Sequence, residues 1–283
     1  CHSADIGGRI LSAEARKVFE EGLRLPIMKL FDRGEPNQVL MQIVRANVRQ
    51  PDEVIGDFYA QTASNDAGGR ALLEMMEEFG LDSIDHVADE IIRRSEQAVR
   101  AEIAKLPDGQ WSNETWSDGF EEPILVRCTV RVTGDEIFID FGGSSPQSTR
   151  GINVVLNYTH AYASFAIKAA ICPDVPHNEG SFRPVHVSAP AGSILNALEP
   201  APVASRQVIG HFIPSAIFAA LSGALPGRLM APPLEEHAEC PFTLDLRQPA
   251  PAPEPAHSPA APELTYSARI NGRPAPSVVH VPS

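Results

Sequence analysis

The chain has 283 residues, of which 43% are hydrophobic and 21% are charged, so it can bury a substantial core in one large domain or two small ones. Its 23 Lys and Arg stand against 36 Asp and Glu, a formal net charge of −13. Because nucleic-acid affinity depends on cationic contacts to phosphate, this balance argues against a nucleic-acid partner. No apolar run approaches the roughly 18 residues of a membrane span, and no leading stretch resembles a signal peptide, so no membrane partner is expected.

The four cysteines lie at positions 1, 128, 172 and 240, without a C-x-x-C pair. A disulfide framework or a zinc ribbon needs denser, paired spacing. The pattern therefore predicts reduced thiols in a cytoplasmic protein. The chain starts at Cys1 rather than Met, which we interpret as a fragment whose upstream part is missing, in preference to an exposed amino-terminal Cys nucleophile.

The first hundred residues are predicted to be a loop followed by helices. A Gly-rich opening precedes two short extended runs, 23–25 and 27–31, and Asn37 is placed to cap a helix that continues to about Val48. Residues 51–106 are predicted to form a helical hairpin of two antiparallel helices of about 25 residues each, with Pro51 in the first turn and Gly80 after the last turn of the first helix. The apolar stripes of both helices indicate core packing rather than a partner surface.

From residue 110 the hydrophobic period changes from 3.6 to 2. The alternation over 125–132 and 137–141, separated by Thr133-Gly134-Asp135, predicts a β-hairpin. A buried helix over 157–171, a strand over 183–189 and an apolar helix over 205–225, interrupted near Pro214, follow. The expected fold class is α+β, with the N-terminal loop and helical hairpin followed by a mixed sheet and buried helices in a mixed α/β part, 110–230.

The C-terminal segment, 231–283, has a different composition. It holds 12 of the 26 prolines, and its centre alternates Pro and Ala. Such a segment cannot offset the entropy of ordering by burying apolar surface. It is predicted to be a disordered low-complexity tail, in which the pattern indicates only a short strand over 264–270 and a turn at Asn271-Gly272.

Two groups of polar residues could carry chemistry. His2 and Asp5 are three residues apart in a Gly-rich bend, where an imidazole and a carboxylate can share a cation or a proton; an Asp that caps backbone N–H groups beside an idle His is the simpler alternative. Asn178, Glu179 and Arg183 lie in an irregular loop between apolar elements, a setting that often carries function. An ordinary polar connection explains that loop equally well.

Common catalytic motifs are missing from the sequence. It contains no G-x-S-x-G and no G-x-x-x-x-G-K-[ST], which excludes an α/β-hydrolase nucleophile elbow and a P-loop. Any ATP is therefore expected to be bound by another chain.

Seven segments together resemble the hydantoinase B/5-oxoprolinase family. They occur in that family's order and cover about residues 1–230. The segments are HSADIGGR (2–9), VFEEGLRLP (18–26), NVR with GD and AQ (47–61), RSE (94–96), LPDG (106–109), GINV (151–154) and NEGSFRP (178–184).

The resemblance implies a multisubunit, ATP-dependent enzyme in the form of a hetero-oligomer. A hydantoinase A-like ATPase subunit would bind ATP, and the hydantoinase B-like chain would hydrolyse a small cyclic amide such as a hydantoin or 5-oxoproline. His2 matches a ligand position for a divalent metal (Mn, Zn or Mg), and Asp5 matches its catalytic neighbour. The other ligands lie upstream in the family, so the isolated fragment is expected to be inactive.

The resemblance leaves alternatives open. The large subunit of an acetone or acetophenone carboxylase belongs to the same family and would use manganese and bicarbonate. A non-catalytic truncated scaffold that only binds a partner subunit is the alternative from another class. Asn178, Glu179 and Arg183 would position the substrate or form the interface with the ATPase subunit.

Overall fold

The computed structural model describes Ile6, residues 12–225 and the backbones of three two-residue strands nearer the C-terminus. Two compact units are distinguished along the chain, Cys1–Pro232 and Pro233–Ser283. Three of our predictions lie outside the described residues: the roles of His2 and Asp5, and the disorder of most of 231–283.

Helix α1, Gln38–Asn47, begins where the sequence predicts. The Asn37 side chain accepts a hydrogen bond from Leu40 N at 3.1 Å, the expected N-cap geometry. Before it, a short 3₁₀ helix, Val18–Glu20, and a hairpin of β1, Phe31–Asp32, and β2, Glu35–Pro36, occupy the region predicted to be extended. A small core forms where α1 meets the start of the next helix; its buried members are Leu40, Met41, Val44, Val48, Val54, Ile55 and Phe58.

The two predicted long helices are α2, Pro51–Glu78, and α3, Asp85–Ile103. Gly80 follows α2 with φ +61°, the left-handed C′ conformation that a helix end favours. The predicted core packing of their stripes is wrong over most of their length, because only three residues of each helix are buried. The apolar side chains that are exposed instead are Leu72, Leu73, Met75, Phe79, Val87 and Ile91.

A four-stranded sheet forms the centre of the first unit. Its order is β3 (Gly109–Ser117), β4 (Ile124–Thr133), β5 (Glu136–Asp140) and β6 (Val185–Ser188). Neighbours are antiparallel except β5 and β6, which are parallel. The β4–β5 hairpin and the strand β6 confirm the sequence prediction, and Gly134, φ +60°, occupies the turn; β3 was not predicted.

One face of this sheet is buried beneath helices. Alternate residues of β4, from Ile124 to Val132, point into the main core, whereas Arg127 and Arg131 are exposed. Helix α7, Phe212–Leu221, packs on β3 and β4, and α4, Leu156–Ile171, packs on α7 and β6. The result is the expected mixed α+β architecture, in which the predicted buried helix 157–171 is α4.

The last apolar segment divides into two helices at His211. Helix α6, Gln207–Gly210, ends four residues before Pro214, and α7 contains that proline in its first turn. A proline clashes with the carbonyl of the fourth residue before it, but it is tolerated in a first turn, where its N–H is not needed. The predicted interruption near Pro214 is thus confirmed.

In the second unit, β7 (Phe242–Thr243), β8 (Arg269–Ile270) and β9 (Arg273–Pro274) form a three-stranded antiparallel arrangement. Strands β8 and β9 flank the predicted turn at 271–272. Among the described residues, no helix is both long and apolar enough to cross a bilayer.

Candidate functional site

The loop that contains Asn178 is seated on helix α3. Asn178 caps the one-turn helix α5, Glu179–Phe182: its side-chain oxygen accepts from Ser181 N at 3.3 Å, and Ser181 Oγ donates back to the Asn178 carbonyl at 2.8 Å. Its amide nitrogen donates to Ser95 Oγ at 2.7 Å. Ser95 and Ser181 are both buried, so the Asn178 amide links two elements that are 83 residues apart.

A close backbone approach fixes this seating. A Cβ placed on Gly180 would lie 1.9 Å from the carbonyl oxygen of Ile92 in α3, which is much shorter than any real contact. Residue 180 must therefore lack a side chain if α5 is to lie on α3. This gives a structural reason for the glycine in the segment NEGSFRP.

Glu179 and Arg183 belong to a network of ion pairs beside that contact. Arg183 donates to Glu179 Oε1 at 2.8 Å and to Glu96 Oε2 at 3.1 Å. Glu96 also accepts from Arg100 Nε at 3.0 Å. Hydrogen bonds from Arg100 and Arg183 lower the pKa of the Glu96 carboxyl, and hydrogen bonds to Glu179 and Glu96 raise the pKa of Arg183.

The network continues to the sheet. Arg100 Nη1 lies 3.2 Å from Glu136 Oε1, and His186 Nε2 lies 3.5 Å from the other oxygen of Glu136. The imidazole of His186 stacks on Phe138 with ring centroids 4.6 Å apart. The ion pairs thus tie α3 and α5 to β5 and β6, while Glu179, 68% exposed, and Arg183, 45% exposed, still face solvent.

A second junction brings the N-terminal segment to the segment GINV. Gly151 N donates to the Ala13 carbonyl at 2.9 Å, and a Cβ on Gly151 would lie 2.7 Å from Ser12 O. The fully buried Asn153 accepts from Ser148 N at 2.7 Å, and its amide nitrogen donates to the carbonyls of Ser148, Arg150 and Pro202 at 2.9 Å each. Asn153 therefore stabilises the irregular backbone on which residues 12–13 lie.

Glu21, in the segment VFEEGLRLP, fastens the same N-terminal stretch to the loop before α6. Its Oε1 accepts from Val203 N at 2.6 Å and from Ala204 N at 2.8 Å. Burial raises the pKa of this carboxyl, although the two backbone donors act in the opposite direction. Neither Glu21 nor Asn153 was predicted as a site residue; the two motifs that contain them were the signal that could have found them.

A cleft of about 200 Å³ opens beside this junction. The Glu121 carboxylate at its rim lies 3.2 Å from Arg150 Nε and 3.7 Å from Arg16 Nη1, and Thr149 Oγ1 donates to it at 3.3 Å. Its walls combine aromatic and proline rings with hydroxyl and amide groups, the composition expected of a small-molecule site. The residues that line it are Phe120, Glu121, Glu122, Pro123, Ile124, Ser145, Pro146, Gln147, Ser148 and Thr149.

The described residues do not fit a metal centre by themselves. Among them, no group of three or more His, Cys, Asp or Glu side chains converges as metal ligands would. The cysteines in this part of the chain do not offer a nucleophilic thiolate either: Cys128 and Cys172 are unpaired and buried, and burial raises the pKa of both thiols, which keeps them protonated.

Comparison with known proteins relates these junctions to a family. The model of the hydantoinase B/oxoprolinase family matches residues 1–250, somewhat further than the motifs extend. The chain is 31% identical over 248 residues to a D-/L-hydantoinase component of Pseudomonas sp. (strain NS671), assigned as its B chain, covering 81% of this chain and 42% of that protein. It is 30% identical over 241 residues to the beta chain of the caprolactamase of Pseudomonas jessenii, with 81% and 41% covered.

Two solved structures share the fold. The ATP-dependent caprolactamase from Pseudomonas jessenii superposes with a TM-score of 0.73 at 28% identity, over 79% of this chain and 40% of that chain. A nucleotide-free acetone carboxylase superposes with a TM-score of 0.68 at 16% identity, over 81% and 33%; at that identity the likeness shows the fold alone. The chain spans about two fifths of the length of these hydantoinase and caprolactamase relatives. With seven motifs in order, a family match over 1–250 and the shared fold, the chain belongs to the hydantoinase B/oxoprolinase family.

Proposed function

We propose that the chain is part of the hydantoinase B-like component of an ATP-dependent cyclic amidohydrolase that opens hydantoin-like or 5-oxoproline-like rings in the cytoplasm. The observation that carries this proposal is the family match over residues 1–250, supported by relatives named as hydantoinase and caprolactamase components and as 5-oxoprolinases. All of these names describe enzymes that open a cyclic amide. The ATP would be bound by an A-type ATPase subunit in a hetero-oligomer.

The cleft between 120–124 and 145–149 is the substrate-binding candidate. A small cyclic amide needs an apolar surface for its ring and a few polar groups for its N–H and C=O. Phe120 and Pro123 supply the first, and Thr149 supplies a hydroxyl. Arg16 and Arg150, which share the carboxylate of Glu121, stand beside the opening, where a negatively charged substituent of the ring would be favoured.

Arg183 and Glu179 are better placed for an interface than for substrate positioning. Both are exposed, and both belong to a network that holds α5 on α3. The Asn178 amide has its donor and acceptor groups occupied by Ser95 and Ser181, so we assign it the role of holding the loop in shape. Catalytic roles for Asn178, Glu179 and Arg183 stay predictions.

A divalent metal (Mn, Zn or Mg) is part of the proposal through His2, with Asp5 beside it. Its remaining ligands would come from outside residues 12–225, because those residues offer no cluster of their own. When bound, such an ion would polarise the carbonyl or acyl phosphate oxygen and lower the pKa of its water.

The test is an assay of the full-length protein with its A-type ATPase subunit on hydantoin, 5-oxoproline, caprolactam and acetone. Phosphate release coupled to ring opening of a cyclic amide would support the proposal. Bicarbonate-dependent carboxylation of acetone, with no ring opening, would contradict it and identify a carboxylase. Each protein assayed without the other is the control, since ring opening should need both.

A further inference from the structure

The tip of the helical hairpin exposes apolar side chains along both of its helices. We define the arm tip as residues 71–92, which comprise the end of α2, the loop and the first part of α3. None of residues 59–94 is buried. Leu73 and Phe79 are 65% and 68% exposed, and Val87 and Ile91 are 45% and 50% exposed. Large apolar groups gathered on one exposed segment mark an interaction site more often than single exposed residues do.

The same segment is strongly acidic. Between Arg70 and Arg93 it contains no Lys or Arg. Glu90 pairs with the neighbouring cations Arg93 and Arg94. The acidic residues of the arm tip are Glu74, Glu77, Glu78, Asp82, Asp85, Asp89 and Glu90. The arm tip is therefore an apolar surface surrounded by carboxylates.

Helix α2 lacks a reason to persist over its second half unless another surface covers it. Its buried residues, Val54, Ile55 and Phe58, all lie in its first two to three turns. Gly68 and Gly69 in its middle have no atom within 4 Å of a Cβ position, and each glycine costs about 1 kcal/mol relative to alanine in a helix interior. Since most helical stability comes from packing of an apolar face, the arm tip needs a partner.

We propose that the arm tip docks into an apolar groove rimmed by Lys and Arg on the A-type ATPase subunit. The groove would take up the side chains of Leu73 and Phe79 in the manner of an amphipathic helix, and its basic rim would complement the carboxylates. A second copy of this chain is a poor occupant, because two arm tips would bring two sets of carboxylates together without a Lys or Arg between positions 70 and 93. The identity of the partner rests on the proposed function.

The experiment uses calorimetry at low and at physiological salt to measure how the full-length protein binds the recombinant A-type ATPase subunit. The variants are Leu73→Ser/Phe79→Ser, which removes apolar surface, and Glu74→Lys/Glu77→Lys/Asp85→Lys, which reverses charge. Matched controls are Phe165→Ser, 55% exposed on α4, and Glu35→Lys on β2. Circular dichroism checks that each variant keeps its helix content.

Apolar substitution should weaken binding at least about tenfold, as expected for central anchors, and charge reversal should weaken it about tenfold at low salt and less at physiological salt; the controls should bind as wild type does. Wild-type binding that both arm-tip variants match would overturn the docking proposal and leave the proposed function standing. No wild-type binding would overturn both. Self-association of the protein that Leu73→Ser/Phe79→Ser abolishes would overturn docking on the ATPase subunit, since it would show that a second copy covers the arm tip.

Discussion

The seating of α5 on α3 can be tested with a single methyl group. In Gly180→Ala the new Cβ would lie 1.9 Å from Ile92 O and 2.7 Å from Ile92 C. Both are backbone atoms inside a regular helix, so they cannot rotate away as the end of a flexible side chain could. The one-turn helix must therefore move off α3.

The expected cost has two parts. Overpacking against a backbone costs about 1–3 kcal/mol. Displacement of α5 also lengthens the 2.7 Å hydrogen bond from Asn178 to the buried Ser95, whose loss costs about 1 kcal/mol. We expect a decrease of about 3 kcal/mol in the free energy of unfolding, which corresponds to a fall in Tm on the order of 10 °C for a unit of this size.

The matched control is Gly56→Ala in the first turns of α2. No atom lies within 4 Å of a Cβ at that position, so the same substitution should stabilise the helix by about 0.5–1 kcal/mol. Urea denaturation followed by circular dichroism measures both variants. If Gly180→Ala is as stable as wild type within about 0.5 kcal/mol, the range of an ordinary surface substitution, α5 does not lie on the α3 backbone and the argument fails.

Three further predictions concern the two junctions. Asn153→Ala should destabilise the chain by about 3 kcal/mol in urea denaturation, because the carbonyls of Ser148, Arg150 and Pro202 lose a buried donor; the exposed Asn157→Ala is the control, and a loss below about 1 kcal/mol, the worth of one ordinary hydrogen bond, would contradict the assigned role. Burial raises the pKa of Glu21 above its ordinary 4.5, so the folded chain binds this proton more tightly, and the resulting stability is present below pH 4.5 and lost as the pH rises through the raised value. Glu21→Gln, whose amide oxygen can still accept both backbone N–H groups, should remove that decline from a stability–pH profile; an unchanged profile would refute the shift. Arg183→Ala should raise the lowered pKa of Glu96 part of the way to its ordinary value, because the hydrogen bond from Arg100 remains; an NMR titration of Glu96 that does not move would show that Arg183 does not stabilise that carboxylate.

Local patterns in the sequence were sufficient for most elements. The β4–β5 hairpin was predictable because every second residue of β4 is apolar and faces the core, and because Gly134 supplies the positive φ that the turn needs. Strand β3 was missed because its inward positions include Asn113 and Thr115 beside Trp111, so the apolar alternation is weak. Its strand conformation depends on pairing with β4.

Contacts between distant segments were not predictable from local patterns. The sequence marks Asn178 as a polar loop residue, but its hydrogen bond to Ser95 spans 83 residues. Likewise, Glu21 is one acidic residue among many until the chain brings it to the N–H groups of Val203 and Ala204. The sequence could indicate which segments matter, whereas the structure shows that these particular side chains mainly hold segments together.

The arm tip shows why an apolar stripe alone does not predict a core. Helical periodicity tells which side of a helix is apolar, and Val54, Leu72 and Phe79 satisfy it equally well. Of these three, only Val54 has a neighbouring element to cover it, since α1 packs against the start of α2 and not its end. The same period therefore describes a core at one end of α2 and an exposed surface at the other. What distinguishes the two ends in the sequence is charge, because the acidic residues around the exposed end have no Lys or Arg among them, so they can meet the basic rim of a partner.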